Sequence, residues 1–249
     1  MNNLIRSELL KQRTVRLPLI AVAAAAIAGA LTAIAIITTA GHASNPPLDR
    51  HSLTQLVHGP FAIVAGTALL LGILGPAGEF RHETITSTLL VAPRRGRLLT
   101  AKVLVHAGLG AGLALVACAV NLAVSIPWLA SHDVPLTGPT DVARVVAGSV
   151  AAAALFGTAG AGLGALLANQ TTAVTVSLVW LLAVEGLVVN ITATPTLHDR
   201  LPGGALGVIA RGAGEGAHTP LWAAAGCALA YAGALVAAGT RRLIDRDVT

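Results

Sequence analysis

PLIAVAAAAIAGALTAIAIITT, residues 18–39, runs for 22 positions without a charged side chain. At about 1.5 Å rise per residue, a helix of that length reaches about 33 Å, enough to cross a hydrocarbon core of about 30 Å. The basic residues Arg6 to Arg16 before it and Gly41-His42-Ala43 after it resemble the flanks of a cleaved signal peptide. The apolar run is longer than the roughly 7–15 residues of a signal core, so a retained membrane span is expected.

Five further apolar stretches follow, over residues 59–76, 101–127, 145–168, 172–193 and 220–239. Composition agrees: 55% of residues are hydrophobic and 11% charged, against about 25% charged in an average soluble domain. The expectation is one all-α polytopic membrane domain over residues 1–249, with six transmembrane helices. A net charge of +5 and a pI near 10.2 would suit a nucleic-acid binder. The basic residues sit instead at the ends of the apolar stretches, so nucleic acid is not an expected partner. Cys118 and Cys227 lie inside apolar stretches and read as small core residues.

Loop charge sets the expected orientation. With the N-terminus inside, twelve Lys and Arg residues fall on cytoplasmic segments and four (Arg50, Arg144, Arg200, Arg211) on outer ones. Both termini are therefore expected in the cytoplasm. Trp128 and Trp222, at the outer ends of spans three and six, suit the interface. Gly108 and Gly112 in span three, and Gly160 and Gly164 in span four, are each four apart, a spacing that lets helix backbones approach closely in lipid.

Several chemistries lack their residues. Lys11 follows Leu and Lys102 follows Ala, so no phosphate-cradling G-x-x-x-x-G-K-[ST] loop exists. His82-Glu83 is not continued to a second metal-binding histidine, no G-x-S-x-G elbow occurs, and no histidines stand at ligand spacing. An enzyme and a metal site are not expected.

The polar connection of residues 78–100 contains GEFRHETITSTLLVAPRRGR. Ile85, Thr88 and Leu89 share one helical face, while Glu79, Glu83 and Thr86 form the opposite one. A short amphipathic helix along the membrane surface is expected there, acidic side to the cytoplasm and ended by Pro93. Arg94, Arg95, Arg97 and Lys102 would then meet anionic head groups. Such a helix either satisfies the interfacial charge bias alone or docks a soluble partner. Residues 1–17 read as a similar amphipathic elbow leading into span one.

The basic amphipathic start, the six spans and the loop G-E-F-R-H-E-T-I…L-L…P-R-R-G-R…A-K resemble the permease subunits of type-2 ABC exporters, particularly actinobacterial ones. The matching positions are Glu79, Arg81, Thr84, Pro93, Arg95 and Lys102, and the likeness covers nearly the whole chain. WLLAVEGLVV followed by LPGGALGVIARG resembles that family's fifth span and outer re-entrant segment. The resemblance implies a half-transporter in the bacterial plasma membrane, pairing with a second permease chain. It would dock a separate ATPase subunit, which carries ATP and Mg, through Glu79, Arg81, Glu83 and Thr84. This chain itself would hold no cofactor.

Glu185 lies inside span five, where an acid costs about 2.5–3.5 kcal/mol on insertion scales. Intramembrane acids commonly mark a transport pathway. Two readings stay open: a pathway residue, or a structural acid bonded to Asn190, Thr192 or the segment opened by Pro202-Gly203-Gly204. The rival function is an ion- or proton-coupled carrier or channel that uses Glu185 without an ATPase.

Overall fold

A computed structural model describes residues 2–42, 45, 47–49, 51–81, 95–191, 195–212 and 218–245. The elements are α1 (Asn2–Thr14), α2 (Leu17–Thr39), α3 (Ser52–His58), α4 (Phe61–Arg81), α5 (Arg95–Ser131) and α6 (Pro139–Leu167). There follow α7 (Gln170–Leu178), a π-helical segment (Val179–Glu185), α8 (Gly186–Ile191), α9 (Pro195–His198), α10 (Pro202–Ala210) and α11 (Leu221–Asp245). No strand occurs among the described residues. Six helices are long and apolar enough to cross a membrane, with α3 and α4 counted as one unit, as are α7 and the π-helical segment that continues it into α8.

The helix ends differ from those expected. Pro76 and Pro127 do not terminate spans two and three but lie inside α4 and α5. A proline removes one backbone hydrogen bond, a loss that packed neighbours tolerate in membrane helices. The connection of residues 78–100 is correspondingly shortened. Its first residues continue α4 and its last ones open α5, leaving residues 82–94 between them. The surface helix expected there, with Glu83, Thr84 and Arg94, lies outside the described residues. At 37 residues, α5 spans about 55 Å and exceeds the hydrocarbon core by several turns. The break between α3 and α4 falls at Gly59-Pro60, where Pro60 supplies no N–H to the helical ladder.

Helix α6 is the central post, contacting α4, α5, α10 and α11. Its glycines are the reason. A methyl added at Gly160 would overlap the Leu69 carbonyl of α4, and one at Gly157 the His106 carbonyl of α5. At Gly162 it would stand 2.7 Å from the α11 backbone. Gly160 and Gly164 both face α4, whereas Gly108 and Gly112 face open space. Within the chain, the α5 glycine pressed against a neighbour is Gly110, at the Ala153 carbonyl. Gly160→Val is expected to lower stability by about 1–3 kcal/mol through overpacking, and Gly112→Val by less than about 0.5 kcal/mol. Thermal melts of the detergent-solubilised protein would read this difference, and equal melts would contradict the packing.

The fifth span lies at the bundle's edge, with Val179, Leu182, Leu187 and Val189 exposed. A tight turn joins it to α6: Ala168 adopts φ 51°, and Asn169 caps α7 by accepting from the Thr172 N–H at 3.0 Å. Nine-residue α10 is too short to cross a membrane, yet Leu206, Val208 and Ile209 are buried among α6 and α11.

Candidate functional site

Two buried polar assemblies stand at opposite ends of the bundle. The first gathers where α4 ends and α5 begins, against α1. Lys102 Nζ donates to Glu79 Oε1 at 2.6 Å and to Glu8 Oε2 at 2.9 Å. Lys11 Nζ donates to the same Glu79 oxygen at 2.7 Å and to Glu8 Oε1 at 2.9 Å. Two carboxylates and two ammonium groups thus alternate in a closed ring with no net charge. The Lys102 and Glu8 side chains are each 3% exposed, Glu79 10% and Lys11 45%. Ions this buried are tolerated only when paired and hydrogen-bonded.

The electrostatics of the α1 members follow from that geometry. Burial pushes the Glu8 carboxyl up, but Lys102 and Lys11 together outweigh it and hold its pKa below the usual 4.5. Burial likewise pushes Lys11 down, and the bonds to Glu79 and Glu8 outweigh it, raising its pKa above 10.5. The charged forms are the ones the fold favours.

His106 extends the ring one turn along α5. Its Nδ1 lies 2.7 Å from the Lys102 carbonyl, which can only accept, so Nδ1 carries the proton. Nε2 then faces the Gln12 amide nitrogen at 3.5 Å. Gly75 makes room for the imidazole, since a Cβ there would overlap the ring.

These positions correct two expectations. Glu79 does not stand on an acidic face turned to the cytoplasm; it is buried on the last turns of α4. Lys102 does not reach head groups, because the ring consumes its charge. Arg95 also points elsewhere: its Nη1 donates to the Leu243 and Ile244 carbonyls at 2.8 and 3.0 Å, capping the end of α11. Arg81 is exposed and donates to Gln170 Oε1 at 3.2 Å, tying α4 to α7. Arg97 is exposed. Glu8, Gln12 and His106 were not singled out from sequence. One signal could have found the ring: among sixteen basic residues only two are lysines, and both belong to it. A compact ammonium fits between two carboxylates where a planar guanidinium demands more room.

The second assembly surrounds Glu185, 3% exposed at the end of the π-helical segment. The wider π turn brings residues five apart together, and Trp180 Nε1 donates to Glu185 Oε1 at 2.7 Å. The Gly203 N–H donates to Oε1 at 2.9 Å and the Gly204 N–H to Oε2 at 3.0 Å. Glu185 therefore satisfies the unpaired donors at the start of α10 and sits at the positive end of its dipole. Pro202-Gly203-Gly204 is suited to this: a Cβ at Gly203 would strike the carboxylate, and one at Gly204 the His198 carbonyl. These bonds join Glu185 to the segment opened by Pro202-Gly203-Gly204.

Between these ends lies an apolar crevice of about 340 Å³, lined by residues including Leu69, Phe156, Leu163, Trp180, Leu206 and Tyr231. No group of His, Cys, Asp and Glu side chains suited to a metal ion occurs among the described residues. Compared with known proteins, the chain matches no family model and no curated protein.

Proposed function

We propose that this chain is the transmembrane permease subunit of an ATP-driven ABC exporter in a bacterial plasma membrane. It pairs with a second permease copy and is driven by a separate ATPase subunit. In this reading α1 and both chain ends face the cytoplasm, and α10 is the outer re-entrant segment. The observation that carries the proposal is the ion-paired ring, because residues 82–94 leave α4 three residues after Glu79 and enter α5 shortly before Lys102. Force applied to that connection by a docked ATPase passes into two helices joined at their base and, through Glu8 and Lys11, into α1. The three would move together rather than one bending alone. The apolar crevice then suits hydrophobic or amphipathic cargo, and the fifth and sixth spans that line it are the least embedded of the six.

The rival, an ion-coupled carrier working through Glu185, has less behind it. Three donors already occupy that carboxylate, and it serves as an anchor for α10. The test is isolation of the tagged chain from its native membrane. It is expected to retain an ATP-hydrolysing subunit, and Glu83→Lys is expected to reduce that retention several-fold with an unchanged melting temperature. A wild-type chain that retains no ATPase, or that transports on an ion gradient without ATP, would overturn the reading.

A further inference from the structure

A cavity of about 360 Å³ opens at the end of the bundle opposite the ion ring. Three elements wall it: α3 with His51 just before it, the start of α6, and the end of α10. Arg144 of α6 and Arg211 after α10 both line it, and Asp141 is the one acid among the lining residues. Arg144 Nη1 meets Asp141 Oδ1 at 3.1 Å in an exposed pair on one helix, a contact of little strength. Arg211 comes no closer than 3.9 Å to Asp199, beyond hydrogen-bonding reach, and its side chain is 37% exposed. Among the described residues the guanidinium donors of Arg211 are thus poorly matched by acceptors.

Two further details suit the cavity to an anion. Gly212 takes the left-handed φ of 65°, and a Cβ there would stand 2.8 Å from the Arg144 stem. That glycine lets the Arg144 chain lie close against the end of α10, so the two arginines share one wall. His58 stacks on Phe61 at 5.4 Å, and its buried Nδ1 has no hydrogen-bond partner among the described residues. Gln55 and Thr54 add neutral polar groups. Two guanidinium groups from two elements thus face a single carboxylate, while Thr54, Gln55 and His58 can each donate or accept.

We propose that this cavity binds a phosphate-type oxyanion, held by Arg144 and Arg211 with His58 beside them. Guanidinium forks match tetrahedral oxyanions through paired N–H donors. The volume exceeds that of phosphate alone, and the cavity lies level with helix ends, so phosphate and a phospholipid head group share the required chemistry. A bound oxyanion would tie α3, α6 and α10 together.

The test uses the full chain in dodecyl maltoside micelles, which carry no phosphate. Inorganic phosphate is titrated and followed by phosphorus NMR, and a parallel set of micelles supplemented with phosphatidylglycerol is examined by native mass spectrometry for retained lipid. Wild type is expected to bind at least one probe, which identifies the source: phosphate alone for a free anion, phosphatidylglycerol alone for a head group. Arg144→Gln, which removes an exposed side chain, is expected to weaken binding about tenfold, the loss of one charge-assisted contact. Adding Arg211→Gln should abolish it. Binding of neither probe by wild type, or undiminished binding by a folded Arg144→Gln variant, would overturn the proposal.

Discussion

Lys102→Met is expected to cost about 3–5 kcal/mol of stability, the penalty for removing one partner from a buried ion pair. Methionine fills much the same volume, so the loss is electrostatic rather than a cavity. Glu8 and Glu79 would then share only Lys11, which is 45% exposed. The measurement is a thermal melt in detergent, together with the rate of tryptic cleavage after Arg13 and Arg16 at the junction of α1 and α2. Both should change strongly, because α1 loses its hold on α5. Adding Glu79→Gln restores charge balance around the remaining Glu8 and Lys11 pair and is expected to recover part of the loss, a coupling that a double-mutant cycle isolates. A wild-type melt for Lys102→Met would remove the ring from the account. In the unmodified protein, the depressed Glu8 pKa contributes stability present above pH 4.5 and lost as pH falls through the folded value. The raised Lys11 pKa contributes stability present below pH 10.5 and lost as pH rises through its folded value. The share of Glu8 and Lys11 is therefore complete between those limits, and Lys102→Met should flatten the acid side of the profile.

Glu185→Ala is the second large effect. It leaves the Gly203 and Gly204 N–H groups and the Trp180 indole without their acceptor. A buried orphan donor costs about 1–3 kcal/mol; Gly204 is buried, Gly203 half-buried and Trp180 exposed, so a total of roughly 2 kcal/mol or more is expected. Hydrogen exchange over residues 203–206 should rise by at least about tenfold, while exchange in α4 stays as it was. Glu185→Gln should lie between, since its amide can accept from one side but presents a donor to the other. Unchanged protection of α10 in the alanine variant would show that something else holds that helix.

The six apolar spans were legible because length and hydropathy are local properties, and lipid demands both. Their ends were not. The apolar stretches end at Pro76 and Pro127, yet α4 and α5 continue through both prolines. The glycine spacing was legible as a face but not as a contact. Gly108 and Gly112 share the interval of Gly160 and Gly164, and only the latter pair meets another backbone. Least legible was the ring. Glu8 and Lys102 are 94 residues apart, and no periodicity links an amphipathic elbow to the second turn of a distant helix. The acid in span five was visible as an anomaly. Its partners were half visible, since the glycines that open α10 stood out, but the π turn that delivers Trp180 to the carboxylate left no mark.

The closed ring also carries a consequence for biogenesis. Until Lys102 emerges from the ribosome, the nascent chain holds two acids and a single lysine at that corner, and their charges do not cancel. The elbow therefore has no charge-balanced partner until the helix carrying Lys102 has been made. Assembly of this end is timed by the order of synthesis: the residue that completes it is also the last to arrive.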